Sequence, residues 1–174
     1  IDGGSQSSTG FGTFSYADGT HTITAIATDE AGNVSASLDL SDIRIDTVAP
    51  SVDSLTSSSH ASGSWISNSD VALACTGSDS LSGVADHQID DASQGTNTSG
   101  TFAYADGTYT ITAIATDEAG NTGSLTLSDI QVDTVAPSVD SLTSSSHASG
   151  TWISNSDVAL AWTGSDATSG IADF

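Results

Sequence analysis

Lysine is absent from this chain, and arginine occurs once, at Arg44, against 22 acidic side chains. The formal net charge of −21 excludes nucleic acid as a natural partner, because phosphate binding depends on clustered Lys and Arg. It argues equally against anionic membrane surfaces. Without lysine there is no Lys–Asn isopeptide staple and no lysine-mediated polymerisation of the pilin type. Cysteine also occurs once, at Cys75, so no disulfide within the chain holds the fold. No apolar run approaches the ~20 residues of a membrane-spanning helix, and no membrane insertion is expected in this segment. Like charge alone keeps such a surface soluble. A sharper expectation is that divalent cations neutralise some of the carboxylates.

What the chain does have is itself, nearly twice. Residues 13–33 return as 101–121, with only Ser15/Ala103 and His21/Tyr109 exchanged. Residues 51–79 return as 138–166, with only Ser64/Thr151 and Cys75/Trp162 exchanged. A period near 88 residues is longer than a solenoid unit and suits a complete small domain in an array. The repeat divides the chain into the back part of one unit (1–46), a complete unit (47–133) and the front part of another (134–174). Ile1-Asp2-Gly3-Gly4 aligns with Ile89-Asp90-Asp91-Ala92, and Phe174 aligns with His87. Two organisations fit this phasing. The favoured one is a window on a longer covalent array, which needs no assembly step; the other has the partial units completing one another between chains.

The local pattern is all-β. Tyr109, Ile111, Ala113 and Ala115 alternate with Thr and Ile, the two-residue period of a half-buried strand. Val71, Leu73 and Cys75 form a second inward face, and Leu125 and Leu127 followed by Ile130 and Val132 form a third. Cys75 aligns with Trp162, so it reads as a buried apolar position rather than a nucleophile. No stretch keeps a helical period. About seven short strands in a ~90-residue unit predict an antiparallel β-sandwich, with strand A after Pro50, B at 70–77, C at 84–90, E near 101–105, F at 108–116 and G at 124–132. Asp106-Gly107-Thr108-Tyr109 carries the spacing of a tyrosine corner. His21 replaces the tyrosine in the first copy, which predicts a weaker or different bond there.

Five motifs, drawn from different copies, follow the order expected of the repeat unit: Asp133-Thr134-Val135-Ala136-Pro137, the run Gly77-Ser78-Asp79-Ser80-Leu81-Ser82-Gly83-Val84-Ala85, Ile1-Asp2-Gly3-Gly4, Asp106-Gly107-Thr108-Tyr109, and Thr116-Asp117-Glu118-Ala119-Gly120-Asn121. Together they resemble the bacterial Ig-like tandem repeats of giant extracellular adhesins, biofilm proteins and stalks. The resemblance covers the whole chain. It implies tandem immunoglobulin-like antiparallel β-sandwiches, an extracellular or cell-surface setting, and aspartates that bind calcium at domain junctions.

In an Ig-type sandwich the start of strand A, the BC loop and the FG loop share one end. That end would gather Asp46, Asp79, Asp117, Glu118 and Asn121. Oxygen-only ligands select a hard ion, and flexible loops favour Ca²⁺ over Mg²⁺. The next junction would use Asp133 and Asp166 with the FG loop of a following unit, represented here by Asp29, Glu30 and Asn33. The other reading makes Asp-Glu-Ala-Gly-Asn a tight turn with Gly120 or Asn121 at positive φ. Asp53, Asp70, Asp86, Asp90 and Asp106 read as solvated or turn residues.

Other constellations carry little. His60 and His147, in identical Ser-rich segments, read as solvated histidines of an exposed A–B connection. His87, aligned with Phe174, reads as a packing residue of strand C. No phosphate cradle and no zinc spacing occurs, and no enzyme activity is expected. Asn97 and Asn33 sit in glycosylation sequons, although Asn33 competes with the cation role. The expected function is a structural segment of an extracellular stalk, filament or matrix fibre, with neighbouring repeats as end-to-end partners. The alternatives are an adhesin module gripping a glycan or surface protein, and an accessory domain of a secreted hydrolase.

Overall fold

A computed structural model describes residues 12–95 and 98–173. Ile1–Gly4, Phe174 and the Asn97 sequon position lie outside the described residues. Twelve strands follow in order: β1 Gly19–Ala25, β2 Leu38–Ile45, β3 Ser51–Ser57, β4 Ser64–Ile66, β5 Asp70–Ser78, β6 Val84–Ile89, β7 Ala92–Ser93, β8 Ser99–Ala103, β9 Gly107–Asp117, β10 Thr122–Val132, β11 Ser138–Ser144 and β12 Leu160–Ser165. No helix occurs among them. β3–β10 build the intact unit. A sheet ordered β4-β10-β9-β6-β7 faces a sheet ordered β3-β5-β8, giving the expected Ig-like β-sandwich.

The strands alternate as the sequence predicts, and the inward sets meet in one core. Leu55, Val71, Leu73 and Cys75 come from the smaller sheet; Ile89, Ile111, Ala113, Ile130 and Val132 come from the larger. Burying each large aliphatic side chain contributes about 1.5–3 kcal/mol, which is what holds the two sheets face to face. Cys75 is buried and free, as an apolar filler. The three-residue step from Leu127 to Ile130 is a β-bulge: Leu127 pairs with Ile111 and Ile130 with Tyr109. Asp129 sits in it at φ 59°, and the extra residue returns both apolar side chains to the same face. β2 repeats the device, with Asp42 at φ 63°.

The corner forms in both copies. The Tyr109 hydroxyl donates to the Ala105 carbonyl at 2.9 Å. His21 Nε2 makes the same bond to the Ala17 carbonyl at 2.7 Å. The corner is thus differently bonded in the first copy, with an imidazole nitrogen in place of the phenol hydroxyl. Tyr104 stacks obliquely on Tyr109 with ring centroids 4.7 Å apart, and its hydroxyl donates to Asp90 Oδ2 at 2.8 Å.

The SSSHASG histidines correct the sequence reading. His60 is 1% exposed. Its Nε2 donates to the Asn68 carbonyl at 2.8 Å, and its Nδ1 lies 2.8 Å from Ser59 Oγ. Because a carbonyl can only accept, Nε2 carries a proton. Ser59 Oγ in turn accepts the Ala72 N–H at 2.8 Å. The A–B connection is thus pinned by its own histidine and is not a loose solvated loop. His147 makes the corresponding bonds to Ser146 and Asn155.

The flanking pairs β1–β2 and β11–β12 are separate two-stranded sheets. They reproduce the registers of β9–β10 and β3–β5, including the bulges.

Candidate functional site

The approach to β3 is fixed by two glycines. A side chain at Gly123 would collide with the Pro50 carbonyl, and one at Gly77 would stand 2.7 Å from the Ser51 oxygen. Pro50 is buried between them, and this holds Asp46, four residues upstream, over one end of the sandwich.

Asp46 takes a Val48 N–H on Oδ1 and a Ser82 N–H on Oδ2, each at 3.0 Å. Asp79 lies in the loop after β5. Its Oδ1 accepts the Leu81 and Gly83 N–H groups at 2.9 Å, and these bonds hold its carboxyl below the usual aspartate value. Asp117 closes β9 and is 2% exposed. Its Oδ1 accepts the Asn121 N–H and its Oδ2 accepts Asn121 Nδ2, both at 2.8 Å. The same Nδ2 donates to the Asp46 carbonyl at 3.1 Å. Three loops distant in sequence thereby place one carboxylate oxygen each from Asp46, Asp79 and Asp117 within 4.8 Å of one another.

Three like charges so close need neutralising. A pair about 5 Å apart repels by about 3 kcal/mol at an effective dielectric of ~20. The single arginine is engaged elsewhere: Arg44 Nε donates to Asp42 Oδ1 at 3.0 Å on the exposed surface. The hydroxyl of Ser82, the residue whose N–H meets Asp46, is buried without a hydrogen-bond partner among the described residues. Three hard oxygen donors on converging loops fit a cation of the Ca²⁺ type.

The remaining expected ligands divide. Asn121 braces Asp117 and the linker through its amide nitrogen. Glu118 is exposed and contributes a backbone N–H to the Gly83 carbonyl at 3.1 Å; it is not one of the grouped acids. Asp133 and Asp166 repeat the first two members: Asp133 Oδ2 accepts the Ser169 N–H at 3.0 Å, and Asp166 Oδ1 accepts the Gly170 N–H at 2.9 Å. No third acid joins them among the described residues. Asp29 and Asn33 repeat the Asp117–Asn121 brace, with both Asn33 nitrogens donating to the Asp29 carboxylate at 2.7 Å, while Glu30 is exposed. The Asn33 amide of the second sequon is therefore already engaged.

Sequence reasoning missed one interaction at each linker. Asp106 Oδ1 accepts both the N–H and the hydroxyl of Thr134 at 2.8 Å, and Asp18 accepts the same pair from Thr47 at 2.9 Å. Asp106 is thus a clamp on the Asp-Thr-Val-Ala-Pro segment rather than only a turn residue. The available signal was that both Asp-Gly-Thr and Asp-Thr-Val-Ala-Pro recur with the repeat.

His87, on β6, packs as expected. It is buried, and neither ring nitrogen has a hydrogen-bond partner among the described residues.

The architecture defines an Ig-like β-sandwich protein. Residues 97–168 are similar to the bacterial Ig-like domain (group 3) family, a stretch running from β8 through β12 and so across the second linker. Among solved structures, the Clostridium thermocellum CbhA fibronectin(III)-like modules are 19% identical with a TM-score of 0.36, over 67% of this chain and 65% of that chain. This chain therefore spans 65% of the length of that structure. Comparison with curated proteins finds no match.

Proposed function

We propose that this chain is a segment of an extracellular tandem Ig-like array, a stalk, filament or matrix fibre whose junctions are stiffened by calcium. The observation that carries the reading is the Asp46–Asp79–Asp117 group, which unites the linker, the loop after β5 and the end of β9. A cation there would be held by these three carboxylates and would tie the linker to the sandwich it enters. Bound only by the native state, it would stabilise by about 2.7 kcal/mol at a hundredfold excess over Kd. The identity of residues 29–33 and 117–121 supports a spacer over a ligand-gripping adhesin, because binding modules diversify their tip loops.

Calorimetric titration of the chain with Ca²⁺, alongside thermal melts in calcium and in chelator, tests this. Heat of binding and a higher Tm in calcium are expected, with both reduced in Asp117→Asn. Identical melts and no binding heat would overturn the metal assignment. Electron micrographs of native material are expected to show a rod beaded at about 40 Å, from strands of 7–10 residues at ~3.3 Å rise plus loops.

A further inference from the structure

Tension along the chain enters and leaves the intact unit at opposite ends. Pro50 lies against Gly123, near the start of β10, and the chain leaves after Val132, where β10 ends. These two points are about 30 Å apart along the strand at ~3.3 Å per residue. A pull on residues 47 and 133 therefore draws β3 and β10 lengthwise in opposite directions.

The segment that follows β3 is fastened to β10 itself. The Ser62 hydroxyl donates to the Ser128 carbonyl at 2.8 Å, and the Gly63 N–H donates to the Asp129 carbonyl at 2.8 Å. Ser128 and Asp129 are the residues that the β10 bulge leaves without register partners on β9. β4 then runs parallel to β10, pairing Ser64, Trp65 and Ile66 with Ile130, Gln131 and Val132. The Asp133 N–H closes the series on the Ile66 carbonyl at 3.0 Å.

Direction decides how such bonds respond to a pull. A hairpin opened from one end loses its pairs one at a time. Parallel strands drawn apart along their axis strain all the bonds between them together, so these must yield in one step. Forced unfolding is governed by that barrier rather than by equilibrium stability.

We propose that residues 62–66, seated on β10, are a lock against tension that makes the intact unit resist pulling along the chain. β4 is drawn toward the entry end through β3 while β10 is drawn toward the exit. The first and last parts of the unit are thus tied directly, and the core between them is shielded until the lock parts. The inference deepens the reading of the chain as a stalk segment, in which each unit carries the tension of the whole array. It does not involve the cation, so in chelator, on a single chain, the lock can fail while the calcium-stiffened array stands, and the converse.

The test is constant-force extension of the 174-residue chain in chelator, tethered at its two ends. One extension step is expected to match residues 47–133 at ~3.3–3.6 Å per residue. A second tethering, through Ala105→Cys and the C-terminal end, opens β10 from β9 pair by pair, because Gly107 pairs with Val132. At equal force the end-to-end pull is expected to unfold the unit at least about a hundredfold more slowly than the second. Ile66→Pro, which takes an N–H from the pairing with β10, is expected to speed end-to-end unfolding at least about tenfold. Phe102→Ala, on β8 and off the line of pull, is expected to lose stability in urea with a smaller change in that rate. Equal rates in the two directions would overturn the proposal. So would forced rates of Ile66→Pro and Phe102→Ala that simply track their stabilities in urea. The comparison of directions leaves residues 62–66 unaltered, so it decides even where Ile66→Pro does not fold.

Discussion

His60 Nε2 lies 2.8 Å from the Asn68 carbonyl oxygen, and the ring between them is buried. The bond closes the A–B connection across eight residues and hands the chain into β5. His60→Ala is expected to take the ring donor from the Asn68 carbonyl and empty a buried site, destabilising the intact unit by about 1–3 kcal/mol. His147→Ala, at a half-buried site, is expected to cost less. Urea unfolding of the two variants measures the difference; a change under about 0.5 kcal/mol for His60→Ala would match a solvated surface residue instead.

His87 points to a stabilising substitution. Its two ring nitrogens are buried without partners, and the repeat places Phe174 at the corresponding position. His87→Phe removes the unsatisfied polar atoms while keeping a ring beside Gly77. A gain of about 1–2 kcal/mol is expected, raising Tm by roughly 4–8 °C per kcal/mol for a domain of this size. A lower Tm would show that the site cannot accept the extra ring volume.

Asp106 is expected to matter for linker order more than for folding. Asp106→Ala frees the N–H and hydroxyl of Thr134, costing about 0.5–2 kcal/mol, as for loss of a side-chain cap. Backbone relaxation at residues 133–137 should report faster motion in Asp106→Ala, and Asp106→Asn should restore part of the order. Unchanged relaxation in the alanine variant would remove the clamp from the account of stiffness.

Asp79 predicts a specific acid limb. The N–H groups of Leu81 and Gly83 depress its folded-state pKa, so its contribution is complete above the unfolded-state value of about 3.9. It is lost as pH falls through the lower folded-state value. Measured in chelator, the Tm difference between wild type and Asp79→Ala should stay level from neutral pH to about 4 and then shrink. A difference that instead varies between pH 5 and 7 would point to coupling with the neighbouring carboxylates.

The sandwich was legible because its strands are amphipathic with a period of two, and the repeat let each copy check the other. The alternation through Tyr109, Ile111, Ala113 and Ala115 needs no tertiary knowledge to read, since side chains on a strand must alternate. The step from Leu127 to Ile130 was visible as a break in phase, but its meaning was not. Only the pairing with Ile111 and Tyr109 makes it a bulge, with Asp129 forced to positive φ.

The local residue pattern alone set the positions of the main strands along the chain, the corner spacing, the apolar role of Cys75 and the acidic character of the loops. Three things required the folded chain. His60 is polar and its neighbours are serines, so its burial depends on a carbonyl eight residues away. The distance between Asp46, Asp79 and Asp117 depends on three loops converging, and on Gly77 and Gly123 letting Pro50 approach. The reach of Asp106 to the N–H and hydroxyl of Thr134 depends on the corner and the second linker meeting across 28 residues. Each of these depends on which segments meet in space, and a local pattern of residues does not encode that.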